Sequence, residues 1–182
     1  MNIETCISVI AAYFYGQFVK QIEASKSSGT AIDWAAINNT RYVDWLISTP
    51  FMLLALCIVL SIENKHSTRF FPFVLILVLD IVMIASGYYG EIGKITKSTG
   101  TVVGFAAFIL LYVYIWMLYM TDKRTVPSMI TFGIFVFFWA LYGVVYNFEE
   151  EKKIIYYNVL DLIAKAFVGI FFWMYFTGVV KF

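Results

Sequence analysis

Asp161 and Lys165 stand four residues apart in VLDLIAKAFVGIFFW, a run otherwise without charge. At helical spacing the two side chains share a face, one turn apart. Lys165 lies too deep in the run for its ammonium to snorkel easily to a polar boundary. A lysine desolvated in this way is the nucleophile that imine chemistry with an aldehyde requires. A structural ion pair accounts for the same two residues equally well, and on their own they leave both readings open. A second constellation lies in RYVDWLISTP, where Arg41, Asp44 and Ser48 fall on one helix face. Pro50 lacks an N–H, so it frees a carbonyl and kinks the helix there. Asp80 is an isolated carboxylate in a third apolar run. Ionisable residues inside such runs are costly and are functional candidates by default.

The elements that must position these residues are membrane helices. The chain has 182 residues, 62% hydrophobic and 14% charged, with a mean hydropathy of +0.81. A soluble domain is nearer half apolar and about a quarter charged. The net charge of +1 gives no field that would draw nucleic acid. Cys6 and Cys57 read as buried packing thiols, and His66, the single histidine, sits in a polar loop, so neither metal nor histidine-triad chemistry has material. The first apolar stretch lacks a basic start and a small-residue cleavage site, so no cleavable signal is expected. Six runs are long enough to span a bilayer, 3–19, 41–61, 70–90, 100–120, 126–147 and 153–180. The longest connection, 20–40, reads as a polar excursion; the others are short and make neighbouring helices antiparallel. Lysines and arginines divide almost evenly between the two sides and do not set an orientation.

RYVDWLISTP resembles the third-helix signature of microbial (type 1) rhodopsins, and VLDLIAK resembles their seventh-helix retinal-lysine motif. LDIVMIASG resembles the fourth helix, in which Met83 and Gly87 would flank the ionone ring and Asp80 would bond Thr49. WALYGVVY resembles the sixth, with Trp139, Tyr142 and Tyr146 along the polyene; aromatic stripes at this spacing are otherwise ordinary core. Tyr13 or Tyr15 in IAAYFY resembles the second-helix tyrosine near the counterion. The likeness extends over essentially the whole chain, and the six spans match family helices two to seven. The family's first helix has no counterpart in this alignment, and a groove is expected between the first and last spans.

The resemblance implies an all-α membrane bundle, a single domain over 1–182, holding all-trans-retinal as a protonated Schiff base on Lys165. Trp45, Thr49 and Met52 would line the pocket, with Met52 at the colour-tuning position and green absorption expected. Asp44 would be the counterion and proton acceptor, Asp161 the second counterion, and Arg41 would hold waters beneath them. Ser48 replaces the commoner threonine. The implied activity is light-driven ion transport, with outward proton translocation as the default and a light-gated channel or a sensory rhodopsin as alternatives. Ala55 stands where outward pumps usually carry a donor carboxylate, so reprotonation should be slow. Gly143 replaces the usual sixth-helix proline. Lys153 stands where a release-group glutamate is common, with Glu149, Glu150 and Glu151 nearby as substitutes. The expected partners are lipid, retinal, protons or small ions and further copies of the chain, with no nucleic acid. An intramembrane aspartyl protease using Asp44, Asp80 or Asp161 is the competing class. It lacks the paired-aspartate motif and leaves Lys165 unexplained, so no enzyme activity is expected.

Overall fold

The computed structural model describes residues 2–65, 69–122 and 124–170. His66, Lys123 and the end of the last expected span lie outside the described residues. The described chain is helical throughout: α1 (Asn2–Ser28), α2 (Trp34–Asn64), α3 (Phe70–Glu91), α4 (Lys97–Tyr119), α5 (Val126–Val145) and α6 (Glu150–Asp161). α6 runs on without a break into a π-helical turn, Leu162–Phe167. Four of these, α2 to α5, are long and apolar enough to cross a membrane by length and composition.

The segment 20–40 is not the polar excursion expected from its composition. α1 continues to Ser28 and α2 begins at Trp34, leaving a connection of a few residues. Polar residues in this stretch are good helix formers, and tertiary contacts hold them: Gln21 Nε2 donates to Thr40 Oγ1 at 2.8 Å. Gly29 takes a left-handed φ of +67°, where a side chain would be strained, and this ends α1. Asp33 then caps α2 by accepting from the Ala36 N–H at 2.9 Å. α5 starts at a reciprocal capping box between Thr125 and Ser128, with Pro127 in its first turn.

α2 is the axis of the bundle. Leu53, Leu56, Cys57 and Leu60 are fully buried on it, packed with Ile76 of α3 and Leu111 and Ile115 of α4. The outward faces of α3, α4 and α5 carry exposed Val, Leu, Ile and Phe, as a lipid-facing helix should. Cys57 is buried as expected, whereas Cys6 is exposed, because it lies on the outer face of α1. The first and last helices meet directly: Tyr15 of α1 bonds Asp161, and Glu4 lies against Gly169. Beyond this seam Val9, Tyr13 and Val19 of α1 and Ile155, Val159 and Leu162 of the last helix are exposed.

Candidate functional site

Two helices, α2 and the last, bring Arg41, Asp44, Asp161 and Lys165 into one buried cluster. Lys165 Nζ donates to Asp44 Oδ2 at 2.6 Å and lies 3.7 Å from Asp161 Oδ1. Asp44 is 0% exposed, Asp161 2% and Lys165 4%. The i,i+4 spacing that pointed to Asp161 therefore finds a neighbour, while the nearer partner comes across the bundle from α2. The π turn holds Lys165 and changes its angular offset from Asp161 relative to an α-helix. Such turns are rare and occur often at functional sites.

The two carboxylates have different surroundings. Asp161 is fixed by four further donors. Tyr15 Oη (3.0 Å) and Arg41 Nη1 (3.3 Å) reach Oδ2, and Tyr142 Oη (2.8 Å) and Trp45 Nε1 (3.3 Å) reach Oδ1. Of the two tyrosines open in the sequence, Tyr15 is thus the one at the counterion, and Tyr13 is exposed. Asp44 meets Lys165 at its Oδ2; its Oδ1 and the nearby hydroxyl of Ser48, one turn on, are buried and make no hydrogen bond of 3.5 Å or less. Buried polar atoms left in this way are places for ordered water. Arg41 is held from below by Asn158 Oδ1, at 2.7 Å from Nη2, and lies over the rings of Phe18 (4.6 Å) and Tyr157 (5.6 Å). Asp161 thus has five polar neighbours, whereas Asp44 has one cationic partner.

Above the cluster lies a partly open cleft with mostly apolar walls, the usual lining of a small-molecule site. Trp45, Thr49, Met52, Met83, Gly87, Trp139, Tyr142 and Tyr146 all line it, and Lys165 and Asp161 close one end. Asp80 does not line it. It stands behind Thr49, whose Oγ1 is 2.6 Å from Asp80 Oδ2 and also donates to the Trp45 carbonyl at 2.8 Å. Trp45 meets the rings of Tyr142 and Tyr157 edge-on at 5.4 and 4.9 Å. At the far end the Tyr146 hydroxyl donates to the Gly87 carbonyl at 3.0 Å, in a notch made by Gly87, Gly90 and Gly100. A Cβ on Gly90 would collide with that hydroxyl, which is why no larger residue fits there. Gly143 faces the ring of Phe105, which fills the space a proline would need. The walls are those of a site for a long apolar molecule, and the cleft's one amine is that of Lys165.

Asn158, the partner of Arg41, was legible by helical spacing, three before Asp161; the cleft residues Gly104, Phe105 and Phe108 of α4 carry no charge or motif that would have marked them. A second polar cluster joins Lys153 and Glu150, both named in the sequence, to Glu91 and Asn38, which carried no local signal. One turn outward from Arg41, Lys153 Nζ lies between Glu91 Oε1 (2.6 Å) and Glu150 Oε1 (2.8 Å), and Asn38 donates to both carboxylates. Glu149 instead pairs with Lys152 in the open.

A buried lysine facing two aspartates beside an aromatic cleft, inside a bundle of membrane-length helices, defines a multi-pass membrane protein with an internal ligand-sized site. The chain belongs to the bacteriorhodopsin-like family, the microbial rhodopsins: the profile described as "Bacteriorhodopsin-like protein" matches residues 1–179. The fold is similar to the crystal structure of viral rhodopsin OLPVRII, with a TM-score of 0.88 and 39% identity over 99% of this chain and 82% of that one. Opsin-1 of Neurospora crassa is 29% identical over 74% of this chain and 47% of its own length. Archaerhodopsin-2 of a Halobacterium species is 25% identical over 87% of this chain and 63% of its own. The chain thus spans about half to two thirds of the length of these curated relatives. The family's chromophore is retinal, and its members are photoreceptors and transporters rather than enzymes.

Proposed function

We propose that this chain is a light-responsive ion transporter in which retinal is linked to Lys165 and a proton is moved outward by way of Asp44. The observation that carries the reading is the buried 2.6 Å contact between Lys165 Nζ and Asp44 Oδ2 at the closed end of the cleft. When bound, retinal supplies a cationic nitrogen in place of the ammonium and a light-driven change of shape. The chain's own residues do the rest. Asp44, with one partner, takes up the proton. Asp161, tied by Arg41, Tyr15, Trp45 and Tyr142, is held in place as the second counterion. Trp45, Met83 and Trp139 supply apolar walls to the cleft. Met52, apolar and 4% exposed, favours green absorption.

Ala55 supports a second reading. It is buried among Leu53, Leu56 and Val59, so this stretch of α2 offers no carboxylate to return a proton. The return is then slow, which suits a light-gated channel or a sensor as well as a pump. The deciding experiment is expression with all-trans-retinal, a visible spectrum, and photocurrent in a voltage-clamped membrane. A pigment that is lost in Lys165→Ala and a current that flows against the ion gradient are expected. A pigment that survives Lys165→Ala refutes the attachment site. Current only down the gradient selects the channel, and a pigment without current selects the sensor.

A further inference from the structure

A second charged cluster, outside the site at Lys165, is built around the buried Lys153. Lys153 is 0% exposed, although it follows directly on a run of surface charge, Glu149 to Lys152. Its two carboxylate partners come from different helices, Glu91 from the end of α3 and Glu150 from the start of α6. Asn38 of α2 donates to Glu91 at 3.2 Å and to Glu150 at 2.9 Å. Lys97 of α4, half-exposed, stands 3.5 Å from Glu150 and 4.0 Å from Glu91. The other titratable groups facing the cluster are the phenols of Tyr42, Tyr146 and Tyr157. Two ammonium groups thus meet two carboxylates, and the cluster is neutral only with both carboxylates ionised. The position matters, because Asn38 and Arg41 are three residues apart on one face of α2. The cluster therefore covers the end of the bundle towards which Arg41, Asn158 and Asp161 lead.

Two carboxylates that reach one point behave in one of two ways. Without a cation between them they repel, and the pair holds a proton near neutral pH. With an ammonium between them both stay ionised and no proton is stored. We propose that Lys153 is an ionic plug: it ties α2, α3 and α6 together across this mouth and keeps Glu91 and Glu150 from acting as a store that gives up a proton early in the light response. The timing half of the proposal rests on the photoreceptor reading above; the charge state does not. Glu150 is consistent with it. Burial raises its carboxyl, but the hydrogen bonds from Lys153 and Asn38 and the charges of Lys153 and Lys97 outweigh that and lower it to about 2. A second buried cation here also gives Arg41 no favourable place to swing outward, and it stays on Asp161 and Asn158.

The test has two arms. The first needs no light. Infrared spectra of the full chain in lipid, taken from alkaline to mildly acidic pH, read the carbonyl stretch of protonated carboxyl groups. In the wild type, neither Glu91→Gln nor Glu150→Gln should remove a band at neutral pH. In Lys153→Gln/Lys97→Gln, which leaves neither ammonium between the carboxylates, a band should appear that is lost again when Glu91→Gln or Glu150→Gln is added. A band in the wild type assigned to either glutamate, or no new band in Lys153→Gln/Lys97→Gln, overturns the plug. Lys153→Arg, which keeps the charge, should behave as wild type, and it serves if the glutamine variant fails to fold; a new glutamate band in the arginine variant counts equally against the proposal. The second arm uses the retinal-loaded protein with a pH-sensitive dye after a flash. The bulk proton should appear late in the wild type and advance, in Lys153→Gln/Lys97→Gln, to the phase in which Asp44 gains its proton. Early release in the wild type refutes the proposal. Failure to form a pigment refutes the photoreceptor reading instead and leaves the infrared arm to decide the charge state.

Discussion

Removing the ammonium of Lys165 should destabilise the protein more than removing the carboxylate it pairs with, even without a chromophore. At 2.6 Å and an effective dielectric of about 20, Lys165 and Asp44 attract by roughly 6 kcal/mol before desolvation is counted, and at 3.7 Å Lys165 and Asp161 attract by roughly 4–5 kcal/mol. Lys165→Met cancels both and strands Asp44, because Asp44 Oδ1 makes no hydrogen bond of 3.5 Å or less. Breaking one partner of a buried pair costs about 3–5 kcal/mol. Asp44→Asn cancels only the first attraction. Lys165 keeps Asp161, and an amide oxygen still accepts from the ammonium, so the loss should be about 1–2 kcal/mol, near the scale of one charged hydrogen bond. In Lys165→Met/Asp44→Asn no charge is stranded, and the double variant should recover about 2–3 kcal/mol of the sum of the single losses, at the upper end of coupling between residues in contact. Unfolding of the retinal-free protein in detergent, followed by helix signal against denaturant, measures all three. Single losses that add within about 0.5 kcal/mol, the limit for independent sites, would refute the assembled cluster. So would Asp44→Asn costing more than Lys165→Met.

The pair of Thr49 and Asp80 makes a sharper demand on chemistry than on shape. One hydroxyl proton faces two acceptors, Asp80 Oδ2 and the Trp45 carbonyl, so Asp80→Asn, whose amide donates to Thr49, should be nearly neutral. Asp80→Ala should cost about 1–3 kcal/mol, the scale of a lost buried hydrogen bond; equal losses in the same unfolding assay would count against the bond. Gly90→Ala should lower pigment yield and melting temperature by driving the Tyr146 hydroxyl out of its notch. Tyr146→Phe removes the colliding atom, so the double variant should melt above Gly90→Ala alone, and a double variant melting lower still would sink the notch. The lowered carboxyl of Glu150, about 2 against an ordinary 4.5, adds stability that is complete above the ordinary carboxyl range. That contribution is lost as pH falls through about 2. Glu150→Gln should therefore flatten the acid limb of the stability curve, and an unchanged limb in acid unfolding curves would show that the Lys153 contact is absent.

Much of this protein was legible from residue type and period. Apolar runs of membrane length marked α2 to α5, because a helix must be apolar over about 20 residues to cross the hydrocarbon core. Asp44, Asp80, Asp161 and Lys165 stood out because charge is costly in such runs, and local spacing alone placed Asp161 beside Lys165. Composition misled over 20–40, where polar side chains read as loop although α1 runs to Ser28; polarity reports the lack of lipid contact and not the backbone conformation.

What only the tertiary structure decided is pairing across the bundle. Nothing in the local sequence says that Lys165 lies closer to Asp44, 121 residues away, than to Asp161 on its own helix. No local spacing shows that Tyr15 rather than Tyr13 reaches the counterion, or that Asp80 stands behind the cleft instead of in it. Lys153 reads as one member of a charged loop and is a fully buried cation, because Glu91, 62 residues away, is carried to it by the turn of α3. Periodicity fixes which residues share a helix face, but the rotation of each helix against its neighbours depends on the packing of all of them at once, and that rotation determines which charges meet.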